Sequence, residues 1–81
     1  MNSIFWTRKA VKQLLRIHSD HRGRIRDAIT QLEHMPDVPN VKVLTLHTYG
    51  YRLRVGDYRV LFGAIQVTSI QEVKKRDERT Y

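Results

Sequence analysis

Residues 49–62 alternate between apolar or aromatic side chains and charged ones, a pattern typical of half-buried β-strands. Gly56 and Asp57 interrupt the alternation, and a glycine followed by one other residue suits a two-residue hairpin turn. If Val55 pairs with Tyr58 across this turn, one face of the hairpin carries the apolar and tyrosine side chains. The other face carries three arginines, which are Arg52, Arg54 and Arg59.

This register places like charges opposite each other. Arg54 would lie opposite Arg59, and Arg52 would lie opposite Leu61. Like charges directly opposite each other destabilise a pair of strands, and a small domain has little stability in reserve. The arrangement therefore predicts an anionic ligand, and phosphate fits because a guanidinium can bind it bidentately. The alternative is a solvated sheet face, on which arginine stems cover apolar surface and the charged heads stay wet.

The N-terminal part of the chain predicts a strand followed by a helix. Residues 4–6 form a short apolar run that suits a strand, and Thr7 follows as a candidate N-cap. Residues 8–17 have apolar positions along one side of a helix.

A second helix is predicted directly after the first. Ser19 or Asp20 would cap it, and Pro36 would end it at Met35, because the residue before a proline disfavours the helical conformation. Its apolar residues recur at the spacing i, i+3, i+4, i+7 of an amphipathic helix. They are Ile25, Ala28, Ile29 and Leu32.

The C-terminal half predicts three strands. Residues 36–40 read as a loop, and residues 41–46 suit a strand or an extended approach to one. After the hairpin, Gly63 and Ala64 form a second candidate turn, and residues 65–73 form the last strand. This strand is expected to turn Ile65, Val67 and Ser69 toward the core, and Gln66, Thr68, Ile70 and Glu72 toward the arginine side.

The predicted order is β-α-α-β-β-β, which indicates an α+β fold. A small twisted antiparallel sheet would carry both helices on its apolar face. The opposite face would stay open and carry the arginines by strand alternation alone. At 81 residues the chain is expected to form a single domain over residues 1–81.

The charge balance predicts an acidic partner. The chain has 15 Lys and Arg against 8 Asp and Glu, a formal net charge of +7. Nucleic acid, an anionic membrane surface or an acidic protein would each match this charge. The lack of cysteine excludes a disulfide framework and a thiolate zinc site. Because neither a transmembrane run nor a signal peptide is recognisable, we expect a cytoplasmic protein.

Few other residues suggest chemistry. His18 and His21 could share a helix face, but no carboxylate or cysteine completes a metal site, so we expect no metal and no cofactor. His47 precedes the hairpin and carries an imidazole, which titrates near neutrality. The basic tail from Lys74 ends in Tyr81, an aromatic residue that could stack on an unpaired base.

The chain resembles the RelE/ParE toxin superfamily. The resemblance lies in residues 41–44, 49–62 and 72–76 with Tyr81 after them, and it extends over the opening strand and the helical hairpin. Its most specific part is Tyr-Arg-Leu-Arg-Val-Gly-Asp-Tyr-Arg at residues 51–59. The resemblance implies the same sheet with two helices on one face. It also implies the toxin of a bacterial type II toxin–antitoxin pair, whose partner would be an acidic antitoxin.

RelE-like members enter the ribosomal A site and cut mRNA there, which inhibits translation. The resemblance therefore implies an mRNA interferase, a metal-independent endoribonuclease with the ribosome (16S rRNA) and mRNA as partners. The ribose 2′-hydroxyl would attack the adjacent phosphate, which restricts the reaction to RNA. The alternative is a ParE-like protein that poisons DNA gyrase without cutting RNA, and the fold alone does not decide between the two.

The resemblance assigns roles to individual residues. Arg59 matches the family's phosphate-stabilising arginine, Arg52 falls where RelE has a lysine implicated in activating the hydroxyl, and Arg54 matches a neighbouring basic position. Arg76 best matches the arginine proposed to protonate the leaving oxygen, although a gapless count from the C-terminus selects Lys75. Tyr81 matches the aromatic residue that stacks on a base. Contacts with the RNA backbone are expected from Lys42, Lys74 and Lys75, and from Arg8, Lys9, Lys12 and Arg16 on the first helix.

Two departures from the family pattern matter. Arginine does not deprotonate in proteins, so Arg52 is a poor general base. Either His47, Glu72 or a ribosomal group fills that role, or catalysis depends mainly on positioning and electrostatics. The connection at Gly63 and Ala64 is also shorter than in relatives, which could shift the register of the last strand.

Overall fold

The computed structural model describes residues 3–35, 37–45, 48–65 and 67–75. These residues form one five-stranded sheet in the strand order β1-β5-β4-β3-β2, and two helices. The predicted α+β fold and its element order are confirmed. In chain order the elements are β1 (Ile4–Trp6), α1 (Arg8–Leu15), α2 (Ser19–Thr30), a 3₁₀ helix (Gln31–His34), β2 (Val41–Val43), β3 (Tyr51–Val55), β4 (Tyr58–Ile65) and β5 (Val67–Lys75).

The sheet is antiparallel except at the edge formed by β1, which runs parallel to β5. The prediction named an antiparallel sheet, and this parallel pair makes the sheet a mixed one. The hydrogen bonding to β5 continues from β1 into the cap of α1. The backbone N–H and the hydroxyl of Thr7 both donate to the carbonyl oxygen of Ile70, at 3.1 and 2.8 Å. Further along α1, Oε1 of Gln13 accepts the N–H of Val73 at 2.7 Å, which satisfies the β5 edge beyond the end of β1.

Both helices begin at capped residues. Thr7 caps α1 as predicted, because its hydroxyl accepts the N–H of Ala10 at 3.2 Å. This helix ends at Leu15, before the predicted end at residue 17. The cap of α2 is His18, whose Nδ1 accepts the N–H of Asp20 at 3.2 Å. The two residues predicted as caps lie instead in the first turn of α2.

The core lies between the helices and one face of the sheet. Phe62 is completely buried and stacks on Tyr51, with ring centroids 5.4 Å apart. Removing such apolar surface from water is the main driving force for folding. The buried apolar cluster consists of Ala10, Ile25, Ile29, Leu32, Leu53, Val55, Val60, Phe62, Ile70 and Val73.

The β3–β4 hairpin has the predicted register. Gly56 has a φ of +57°, a left-handed conformation that glycine adopts without strain. Val55 pairs with Tyr58 across the turn, and Arg54 consequently lies opposite Arg59. The three hairpin arginines therefore share one face of the sheet.

The predicted turn at Gly63 and Ala64 is wrong. Both residues lie inside β4, where they pair with Ser69 and Thr68 of β5. The chain reverses further on, between Ile65 and Val67, which pair with each other. The side chain of Ile65 and the residue Gln66 fall outside the described part of the chain.

The later reversal exchanges the two faces of the first half of β5. Thr68 and Ile70, which were predicted on the arginine side, are buried on the helix side. Val67 and Ser69, which were predicted to face the core, pair with residues on the arginine side. The expectation for these four residues was wrong because it depended on the position of the turn.

A β-bulge at Gln71 then returns Glu72 to its predicted side. Leu61 pairs with Glu72, whereas the next residue of β4 pairs with Ile70, so Gln71 is an extra residue on β5. Val73 enters the core as a result. The sequence contains a signal for this bulge. The apolar residues Ile70 and Val73 are three positions apart, which does not fit the period of two of a regular strand.

Two phenylalanines offer a matched test of this architecture. Phe62→Ala leaves a cavity in the core and is expected to lower the free energy of unfolding by about 3–5 kcal/mol. Phe5 is 58% exposed, so Phe5→Ala should change it by no more than about 0.5 kcal/mol. Urea denaturation followed by circular dichroism measures both values. Similar losses in the two variants would contradict the assignment of the core.

Candidate nucleic-acid interface

The face of the sheet turned away from the helices concentrates positive charge. The pairing register puts basic residues of β2, β3, β4 and β5 side by side on it. Neighbouring strands lie about 4.8 Å apart, so these side chains can reach one bound phosphodiester together. We call this surface the cationic face, and its members are Lys42, Arg52, Arg54, Arg59 and Lys74.

Arg59 lies at the centre of the cationic face. The register places it between Arg54 on β3 and Lys74 on β5. Arg59 is only 6% exposed, whereas both neighbours are exposed. Charges interact more strongly where little water screens them, so an anion that reaches Arg59 gains more than it would at an exposed guanidinium. The same anion would offset the repulsion among the three cations.

A second row of paired residues crosses the same face. Lys42 on the edge strand β2 pairs with Arg52, which pairs with Leu61, which pairs with Glu72. Lys42 was predicted as a backbone-contacting residue, and the structure brings it beside the hairpin arginines. Leu61 is buried in the middle of this row, so the cations of the β2–β3 side are separated from Glu72 by an apolar side chain.

Glu72 is held by two lysines at the β5 side of the face. Its Oε1 lies 3.2 Å from Nζ of Lys9 and 3.4 Å from Nζ of Lys74. Burial of the carboxyl raises the pKa of Glu72, but the hydrogen bond from Lys9 and the charge of Lys74 outweigh burial and hold it below the ordinary value. Glu72 is therefore a carboxylate at neutral pH and a weak proton acceptor, which argues against it as the general base.

Sequence reasoning placed Lys9 on a separate helical surface and missed its contact with Glu72. The parallel pairing of β1 with β5 sets the first turn of α1 beside β5, and Lys9 reaches the carboxylate from there. Two other basic residues of α1, Arg8 and Lys12, and its C-cap residue Arg16 line one open groove together with Lys9 and Gln13.

Lys75 lies on the helix side of the sheet, away from the cationic face. It pairs with Tyr58 and lines a small cleft with His21 and Arg24. In this cleft the rings of His21 and Tyr58 lie 5.5 Å apart. The structure therefore does not bring Lys75 together with the other predicted RNA-contacting residues.

Three other residues with predicted roles lie outside the described part of the chain. They are His47, Arg76 and Tyr81. Among the residues that are described, no group of three or more His, Cys, Asp and Glu side chains could hold a metal ion. None of the described helices is long and apolar enough to span a membrane.

A sequence profile of the ParE toxin of type II toxin–antitoxin systems matches residues 4–80. The chain belongs to this family. The matched range includes the opening strand, both helices and the basic hairpin. No curated protein matches the sequence.

Solved structures of RelE and ParE toxins share the fold. The archaeal RelE–RelB complex from Pyrococcus horikoshii OT3 contains a chain with 28% identity and a TM-score of 0.78, over 95% of this chain and 97% of that one. Isolated Escherichia coli RelE has 15% identity and a TM-score of 0.80, over 99% and 89%. A chain of the chromosomal ParDE system from Pseudomonas aeruginosa has 19% identity and a TM-score of 0.62, over 95% and 98%. The last two likenesses concern the fold alone.

The ion pairs of Glu72 predict a pH-dependent stability. Because the folded-state pKa of Glu72 is lower than its ordinary value of 4.5, its contribution is present above pH 4.5 and is lost as the pH falls through the folded-state pKa. We expect wild-type protein to be more stable than Glu72→Gln at pH 7, and the difference to disappear in acid. Urea denaturation at a series of pH values measures this.

A matched control for this experiment is Glu33→Gln, in the 3₁₀ helix. It removes the same charge from a place away from Lys9 and Lys74, so its pH-dependent difference from wild type should be smaller. A Glu72→Gln difference that stayed constant from pH 7 to pH 3 would show that the two lysines do not stabilise the carboxylate.

Proposed function

We propose that this toxin is a ribosome-dependent endoribonuclease that cleaves mRNA in the ribosomal A site. The observation that supports the proposal is the cationic face itself, where Arg52, Arg54 and Arg59 share one side of the sheet and Arg59 is nearly enclosed. Guanidinium groups bind the oxygens of a phosphodiester bidentately. The same groups would stabilise the extra negative charge that develops on the phosphate in the transition state.

The proposed reaction is an internal transesterification. The 2′-oxygen forms a bond to the adjacent phosphorus, and the bond from phosphorus to the 5′-oxygen of the next nucleotide breaks. The 2′-hydroxyl loses one proton and the departing 5′-oxygen gains one, and a ribosomal group or water would carry the proton between them. The products are a 2′,3′-cyclic phosphate and a 5′-hydroxyl, so water and metal ions are not required as reactants.

Arg52, Arg54 and Arg59 would hold the scissile phosphate in this reaction. Because Lys75 lies on the helix side of the sheet, the proposal assigns the leaving oxygen to Arg76, whose guanidinium would hydrogen-bond it and stabilise its developing charge. Tyr81 would stack on a base of the message and hold the strand bent.

Catalysis would come mainly from geometry and fixed charge. Arg52 stays protonated and cannot act as a base, and Glu72 is paired with two lysines. Holding the 2′-oxygen in line with the scissile bond, next to charges that need no reorganisation, can supply a large part of the barrier reduction.

The proposed partners are an acidic antitoxin, the ribosome and mRNA. RelE chains of related structures occur in complexes with RelB antitoxins, and a net charge of +7 favours an acidic binding partner. Lys42 and Lys74 and the basic residues of α1 would contact the backbone of 16S rRNA.

The proposal predicts that Arg59→Ala combined with Tyr81→Ala abolishes toxicity while antitoxin binding is largely retained. Losing one group that stabilises a developing oxyanion typically slows a reaction about 10²–10³-fold. Primer extension on ribosome-bound mRNA and growth after induction measure the effect. Arg26→Ala, an exposed arginine on α2, is the matched control and should keep full toxicity. Full toxicity of a folded double variant would remove both residues from the mechanism.

The second candidate function is inhibition of DNA gyrase. It is favoured by one observation, namely that the matching family is described as the ParE toxin of parDE systems. The two candidates predict different damage after induction. Cleavage of message in codon register with intact DNA is expected for the nuclease, whereas gyrase-dependent DNA breaks with intact message would show that the chain acts as a ParE.

A further inference from the structure

The side of the sheet that carries the cationic face also presents an aromatic ring that the proposed mechanism does not use. Phe5 is 58% exposed, while its neighbours Ile4 and Trp6 pack against the core from the other side of β1. In the parallel register Phe5 aligns with Ser69, which pairs with Gly63. These three residues form a row on the same side of the sheet as Arg59.

The residues in the same row as Phe5 are small. Gly63 has no side chain, and a Cβ placed there would lie 3.6 Å from Oγ of Ser69. This Oγ accepts a hydrogen bond from Nε2 of Gln71 at 2.9 Å. The surface beside the ring is therefore shallow. The polar groups of Ser69 and Gln71 can hydrogen-bond to the edge of a flat ligand that lies on Phe5.

The spacing from the cationic face suits a short nucleic-acid segment. Gly63 is four residues from Arg59 along β4, which is about 13 Å, and β1 lies two strands from β4, which is about 10 Å. Phe5 is thus roughly 16 Å from Arg59 across the sheet. A single strand with one phosphate at Arg59 can place the base of a nearby nucleotide at this distance.

We propose that Phe5 is a base-stacking site for RNA, and that Ser69 and Gln71 hydrogen-bond the edge of the stacked base. The proposal rests on the proposed binding of RNA to the cationic face. Aromatic side chains stack on any base, because every base has a π-face. The site therefore holds a second nucleotide of the bound strand without selecting its identity by stacking.

The surroundings of Phe5 favour RNA over a protein partner. Single exposed apolar residues are common on protein surfaces and carry no meaning alone. Here the ring shares a face with five basic side chains, and it is the only aromatic residue among the described strand residues of that face. Charge and an aromatic platform together are the features with which single-stranded nucleic acid is bound.

Binding of two ligands to the full-length chain tests the proposal. One is a short 2′-O-methyl oligouridylate, which has no 2′-hydroxyl to attack, and the other is an abasic strand with the same number of phosphates. Phe5→Leu should weaken oligouridylate binding about tenfold and leave binding of the abasic strand unchanged. Phe5→Tyr, which keeps an aromatic ring, should bind oligouridylate as tightly as the wild-type chain. Val67→Ala, at an exposed apolar neighbour on the same side, should change neither affinity.

The outcomes separate this site from the proposed function. Arg54→Ala should weaken both ligands, because it removes a phosphate contact. Equal loss of both ligands in Phe5→Leu, or no loss of either, would overturn the stacking site and leave the cationic face in place. Failure of the wild-type chain to bind either ligand would overturn the stacking site, whereas cleavage on the ribosome is tested separately by primer extension. Weaker binding of a purified acidic antitoxin by Phe5→Leu and Val67→Ala, with RNA binding unchanged, would assign the ring to a protein interface instead.

Discussion

Burial of one side of the β3–β4 hairpin against the helices determines where the arginines lie. Leu53, Val55, Val60 and Phe62 belong to the buried cluster, and strand alternation leaves only the opposite side for the residues between them. A slip of one residue would expose all four and bring guanidinium groups into the core. The arginines repel one another, so their proximity is imposed by apolar packing on the far side of the sheet. The hydrophobic effect thus positions the groups that carry the chemistry.

The one carboxylate described in contact with the cationic face, that of Glu72, lies at its β5 side. Glu72 offsets part of the charge of its two lysines at the β5 side, and the buried Leu61 separates this group from Arg52 and Lys42. The basic residues of the β2–β3 side therefore lie apart from the carboxylate of Glu72. An anion that reaches Arg59 meets positive charge on both neighbouring strands, from Arg54 on β3 and from Lys74 on β5.

The sequence predicted the hairpin fully and the last strand only in part. Alternation, the glycine turn and the β-prone residues all indicated the same hairpin. A prediction is dependable when hydrophobic pattern, turn chemistry and local preference agree in this way. In β5 the pair Gly63 and Ala64 resembled a turn, and the bulge at Gln71 broke the period on which face assignment depends. The contact between Lys9 and Glu72 was not predictable, because it requires the parallel pairing of distant segments. The roles of Arg76 and Tyr81 came from the family resemblance, since their residue types alone specify no reaction.

The parallel strand at the edge of the sheet has a consequence for biosynthesis. Thr7 and Ile70 are hydrogen-bonded although 63 positions separate them, and every residue that β1 pairs with is made after both helices and three other strands. During translation β1 can therefore pair with β5 only after nearly the whole described chain has been synthesised. Closing so long a loop is slow compared with forming the local hairpin. A newly made chain can thus form its cationic hairpin before its sheet is complete.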